Sequence, residues 1–103
     1  MTELTRITLT KKVTAYGNDV TELVLREPGV ADTRALKSLP YSIGEDGMPR
    51  PLLDVCARYI ARLAEVPESA VDQMDVSDFH RLVWEVVGFF INRGLGPETP
   101  SQV

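Results

Sequence analysis

The chain has 103 residues, 44% of them hydrophobic and 25% charged, which suffices for one domain with a core and argues against wholesale disorder. A formal net charge of −4 argues against a nucleic-acid partner, which calls for a concentrated basic face. Cys56 is the single cysteine, so no internal disulfide forms and a reducing compartment is expected.

The first block, Thr5 to Arg26, reads as a β-hairpin. Ile7, Leu9 and Val13 recur at even spacing, with Thr8, Thr10 and Lys12 on the other face. Lys11 interrupts the apolar face, which predicts a bulge or strand end beside it. Gly17-Asn18 is the expected turn, and the return strand runs from about Val20 to Leu25. Two strands alone are marginal, so the hairpin must lie against something apolar. Arg26 and Glu27, before Pro28, read as a solvated strand end.

After Pro28-Gly29 a short helix is expected over Val30–Leu39, ended by Pro40. Tyr41 to Arg50 reads as a loop punctuated by Gly44, Gly47 and Pro49. The next helix opens at Pro51, with Leu52, Cys56, Tyr59, Ile60 and Leu63 on one face; Asp54 and Arg58 stand at helical pair distance on the other. Pro67 stops it and starts a short helical turn through Met74. Asp75 then caps a final helix over Val76–Asn92, roughly 25 Å long at 1.5 Å per residue, with Asp78 near its positive end. The fold expected is α+β, an N-terminal β-hairpin packed on a bundle of three to four α-helices. Residues 1–94 form one domain, and 95–103, with Pro97 and Pro100, form a disordered tail.

The inventory opposes catalysis. His80 is the only histidine and Cys56 is isolated in sequence, so no metal set assembles and no cofactor is called for. Cys56 lies on an apolar helix face, where a buried inert thiol is expected. Asp75 and Asp78 fit helix capping rather than acid/base work. The start, MTELTRITLTKK, lacks the apolar stretch of a signal peptide. No apolar run approaches the ~20 residues that span a bilayer, so neither a membrane association nor a non-cytoplasmic location is expected.

The final helix is the informative element. Phe79, Leu82, Val83, Val86, Val87 and Phe90 make one stripe at helical spacing, which is core. Trp84, Phe89 and Ile91 fall outside the stripe, leaving the second half apolar nearly all round. A small domain that cannot cover this surplus offers it to a second copy of itself or to another polypeptide.

The order of ITLTKKV, a Gly-centred turn, VTELVLREP, GVADTRALKSL and a closing Asp75–Asp78-led helix ending in VVGFF resembles the tail assembly chaperones of contractile-tailed phages and prophages, the protein-E-type group. The likeness runs from Thr5 to Gly94, its most specific piece being Leu23 to Pro28, and the Tyr41–Pro51 segment matches no family feature. The resemblance implies a non-enzymatic host-cytoplasmic protein that binds the tape measure protein and keeps it soluble until tail tube subunits polymerise. It would then leave, so it is not expected in the mature virion. The tail tube protein and a second copy of the chain are further candidate partners. On this reading Leu82, Trp84, Phe89, Phe90 and Ile91 line the partner-binding groove. Competing readings are a minor structural tail component and a small regulator or antitoxin with one protein target.

Overall fold

The alternation in the first block builds the hairpin. In the computed structural model, which describes residues 4–94, β1 (Leu4–Ala15) pairs antiparallel with β2 (Asn18–Arg26). The buried face carries Ile7, Leu9, Val13 and Ala15 from β1 with Leu23 and Leu25 from β2. The turn sits one residue earlier than expected: Ala15 pairs with Asn18, and Tyr16 (φ 54°) and Gly17 (φ 80°) are its central residues. Both have the positive φ of a type I′ turn, which matches the strand twist, so Asn18 is free to open β2.

The bulge falls where Lys11 requires it. Thr8 pairs with Glu22 and Val13 with Val20, so β1 advances five residues while β2 advances two. This slack lets Thr10, Lys11 and Lys12 all face outward before Val13 returns to the core.

α1 (Val30–Leu36) is shorter than expected. Lys37 takes a left-handed conformation (φ 58°, ψ 30°) and its N–H donates to the Thr33 carbonyl, closing the helix before Pro40 is reached. The 38–40 segment is sewn to the next helix. Tyr59 Oη donates to the Ser38 carbonyl at 2.7 Å, and Leu52 N–H to the Pro40 carbonyl at 2.9 Å.

The segment expected to be a loop contains a second hairpin, β3 (Tyr41–Ile43) with β4 (Pro49–Pro51). Two prolines in a three-residue strand hid it from a sequence reading. The register explains their tolerance. Gly44 N–H bonds the Met48 carbonyl and Leu52 N–H the Pro40 carbonyl, so the bonded pairs fall at even steps and Pro49 and Pro51 occupy the positions between. Pro51 therefore ends a strand rather than starting a helix.

α2 (Leu53–Ala64) buries Cys56, Tyr59, Ile60 and Leu63 as its spacing predicts, whereas Leu52 is its exposed N-cap residue. Glu65, also left-handed (φ 59°), ends it. α3 (Glu68–Asp72) follows Pro67, and α4 (Val76–Gly94) is the longest helix. The core lies between the hairpin's apolar face and α2, α3 and α4, with Tyr59, Ile60, Leu63, Leu82 and Val86 at its centre. The architecture is the expected α+β arrangement, a β-hairpin followed by helices. The expected disordered tail, 95–103, lies outside the described residues.

Polar side chains fix the exposed edge of β1 to the helices. The Gln73 amide accepts from Thr14 N–H at 2.8 Å and donates to the Thr14 carbonyl at 3.1 Å, imitating a neighbouring strand. Asp78 Oδ2 accepts from Thr10 N–H at 2.8 Å and from Thr10 Oγ1 at 3.0 Å, occupying the donor that the bulge frees.

Candidate functional site

Leu53 and Val76 are the first residues of α2 and α4, where a side chain has little helix around it. Because these helices pack together, the two starts flank a groove and leave both residues uncovered, at 58% and 78% exposure. Phe79 lies between them. Toward the C-terminal direction of α4 the groove opens to about 350 Å³ and is lined by Pro51, His80, Val83 and Trp84. Toward α3 it opens to about 300 Å³, lined by Ala57, Val71 and Met74 with Asp54 and Asp72. Both halves share Leu53, Val76 and Phe79, so they form one continuous apolar surface. Trp84, 43% exposed, stands at its far end.

The structure separates the five residues assigned to a partner-binding groove on sequence. Leu82 is fully buried in the core and has no exposed surface to offer a partner, unlike the groove-lining place expected for it. Trp84 lines the groove just described. Phe90 is partly buried, its ring edge-on to Tyr59 (5.4 Å, 77°) and tilted against Tyr41 (6.4 Å). Ile91 packs against the cluster of Cys56, Val83 and Val87. Phe89 shares with Phe90 a different cleft of about 390 Å³, walled by Glu27, Pro28, Gly29, Val30 and Thr33. Sequence spacing misses Leu53 and Val76 because the expected α2 face runs through Leu52 and the expected α4 stripe begins at Phe79, although both residues continue the helical spacing of their helices.

The Arg26 strand end is not a simple solvated one. Asp32, 2% exposed, receives both arms of Arg26 (2.7 and 2.8 Å), Arg62 Nε (2.5 Å) and Gly29 N–H (2.8 Å). The Arg26 guanidinium holds the Asp32 carboxyl well below the usual carboxylate range, against the opposing effect of burial, with Gly29 N–H and Arg62 assisting. One side chain thereby joins β2, α1 and α2. This gives a physical meaning to the LREP motif followed by an Asp-bearing helix: Arg26 and Asp32 are bidentate partners.

The remaining ionisable groups have structural roles. Asp75 caps α4: its carboxylate accepts from the Ser77 hydroxyl and, at 3.0 Å, from Ser77 N–H, and these bonds lower its pKa. Cys56 Sγ donates to the Pro40 carbonyl at 3.3 Å, and burial pushes the thiol up to about 11. It is thus a protonated buried thiol at neutral pH, as its place on the apolar face predicts. Among the described residues Asp54 makes no ion pair with Arg58, although their spacing permits one.

An uncovered apolar groove on a framework stapled by buried carboxylates suits the binding of a polypeptide. Among the described residues no helix is long and apolar enough to cross a membrane. No curated protein and no solved structure matches the chain. The family described as phage tail assembly chaperone proteins, E, or 41 or 14, matches residues 6–91, from the first strand almost to the end of α4. With that span covered, the chain belongs to the phage tail assembly chaperone family.

Proposed function

We propose that the protein holds the tape measure protein of its phage by taking one of that protein's amphipathic helices into the groove between α2 and α4. It does so in the host cytoplasm, without catalysis, and releases its cargo when tail tube subunits polymerise. The observation that carries this reading is the convergence of Leu53, Val76 and Trp84, all exposed, on a concavity floored by Phe79 and Val83. Exposed apolar residues scattered singly mean little, but a contiguous concave set marks an interaction surface. Each such side chain yields roughly 1.5–3 kcal/mol when fully buried. Already partly covered, the three anchors gain less than that, so binding draws equally on the partner's own apolar stripe and stays reversible against the cost of association. Reversibility matters to a chaperone that must let go.

Co-expression with the tape measure protein of the same gene cluster, followed by pull-down and light scattering, tests the proposal. A soluble complex that depends on this chain supports it. A tape measure protein that stays insoluble, or finished particles that retain this chain, would return the role to a structural tail component.

A further inference from the structure

We infer that the groove selects a basic amphipathic helix: an apolar stripe about two turns long, flanked by lysine or arginine. The inference rests on the capture reading above, since it names the chemistry of the segment that enters the same groove. The length follows from α4. Val76 and Trp84 mark the two ends of the apolar line along the helix, about 12 Å at 1.5 Å per residue. That accommodates three anchors of a partner helix, spaced i, i+4 and i+7.

The charge follows from the rim. Asp54 and Asp72 line the half nearer α3, and no lysine or arginine lines either half. Among the described residues neither carboxylate makes an ion pair or a side-chain hydrogen bond, in contrast to Asp32, Asp46 and Asp19, which all face a cation. Two unpaired carboxylates beside an apolar floor repel an acidic helix and favour one that brings its own cations. The chain's net charge of −4 adds a longer-range field of the same sign, which speeds the arrival of a basic segment. It also disfavours a second copy as occupant. A two-fold dimer across this groove would set the same acidic rims against each other.

Trp84 is the only tryptophan of the chain, so its emission reports directly on the groove. The probes are two designed helical peptides of about 18 residues with the same three-leucine stripe, one flanked by lysines and the other by glutamates. The lysine peptide should shift Trp84 emission to the blue and bind at least about tenfold more tightly at low salt, with the gap closing as salt screens it. Asp54→Asn with Asp72→Asn should erase the preference while leaving binding. Leu53→Ser with Val76→Ser should remove binding of both peptides. Equal affinity for the two peptides, no response to either, or a self-dimer whose Trp84 is already shielded overturns the inference. Capture of the tape measure protein that is unchanged by the two Asp→Asn replacements also overturns it while leaving the capture reading intact. Failure of the unaltered chain to capture that protein, with the lysine peptide still bound, overturns the tape measure assignment alone.

Discussion

The apolar residues of the two halves of α4 meet different fates, and the more apolar half is the better covered one. In the C-terminal half Val86 and Val87 are buried, and Phe90 and Ile91 are partly covered because Tyr59 and the Cys56 cluster lie against them. In the N-terminal half Leu82 and Val83 are buried, yet Val76 stands open beside Leu53, and Trp84 closes the line. Apolarity along a helix therefore does not locate a binding surface. What the neighbouring elements fail to cover does. The 38–40 segment and β3 bring cover to the later turns, through Tyr59 bonded at Ser38 and Tyr41 packed toward Phe90, and nothing among the described residues does the same for Val76.

The contrast breaks most visibly at Phe90. Phe90→Ala should cost about 2–3 kcal/mol, less than a fully buried Phe because the ring is only partly covered, and chemical denaturation measures it. Peptide binding per folded molecule should be unchanged. If binding disappears while the protein stays folded, the two halves of α4 act as one surface.

Asp78 tests the side of the N-terminal half that is closed. It faces away from the groove and holds α4 to the bulge of β1 through Thr10. Asp78→Ala removes both bonds to Thr10 and empties the place of a fully buried side chain, and should cost about 2 kcal/mol. Amide exchange at Thr10 should rise. An unchanged exchange rate would mean that the bulge finds another acceptor.

At the far end of the hairpin, Asp32 provides a pH-dependent comparison. Its folded pKa is depressed, so its contribution is fully present above the unfolded carboxylate value near ~4 and is lost progressively as pH falls from there through the lower folded value. With both arginines more than a third exposed, Asp32→Asn should cost only about 1–2 kcal/mol at neutral pH. The gap between the variant and the unaltered chain should begin to narrow below pH ~4 and close only as pH falls through the depressed folded value of Asp32, so it should already be smaller at pH ~3. A gap that persists unchanged at that pH would show that packing, not charge, makes the joint.

Much of this architecture is legible in residue order. The alternation of Ile7, Leu9 and Val13, the intrusion of Lys11, the face formed by Cys56, Tyr59, Ile60 and Leu63, and the Asp75 cap each have a local cause and appear where that cause places them. Features that depend on distant partners are not legible in this way. Arg26 and Glu27 read as a solvated end because Asp32 and Arg62 meet Arg26 only after α1 and α2 pack. β3 and β4 stay hidden because the tolerance for Pro49 and Pro51 depends on register, which three-residue strands do not announce. The groove is of the same kind. Leu53 and Val76 are 23 residues apart, and only the packing of α2 on α4 brings the two helix starts to one groove.

The smallest effect on stability should accompany the largest effect on capture. Leu53 and Val76 occupy first helical positions and are more than half exposed, so replacing both with Ser removes little packing and should change stability by less than about 0.5 kcal/mol each. Serine is also acceptable at a helix start, where its hydroxyl can serve the free N–H groups. Binding of the partner helix should nevertheless be lost, because a hydroxyl cannot replace the apolar area that a groove of this size buries. The decisive readout is the pair of numbers taken together on one sample: the denaturation midpoint and the retained tape measure protein. A variant that unfolds shows that the helix starts are structural after all. A variant that folds and still captures moves the binding surface to the cleft of Phe89 and Phe90, two of the five residues assigned to it on sequence.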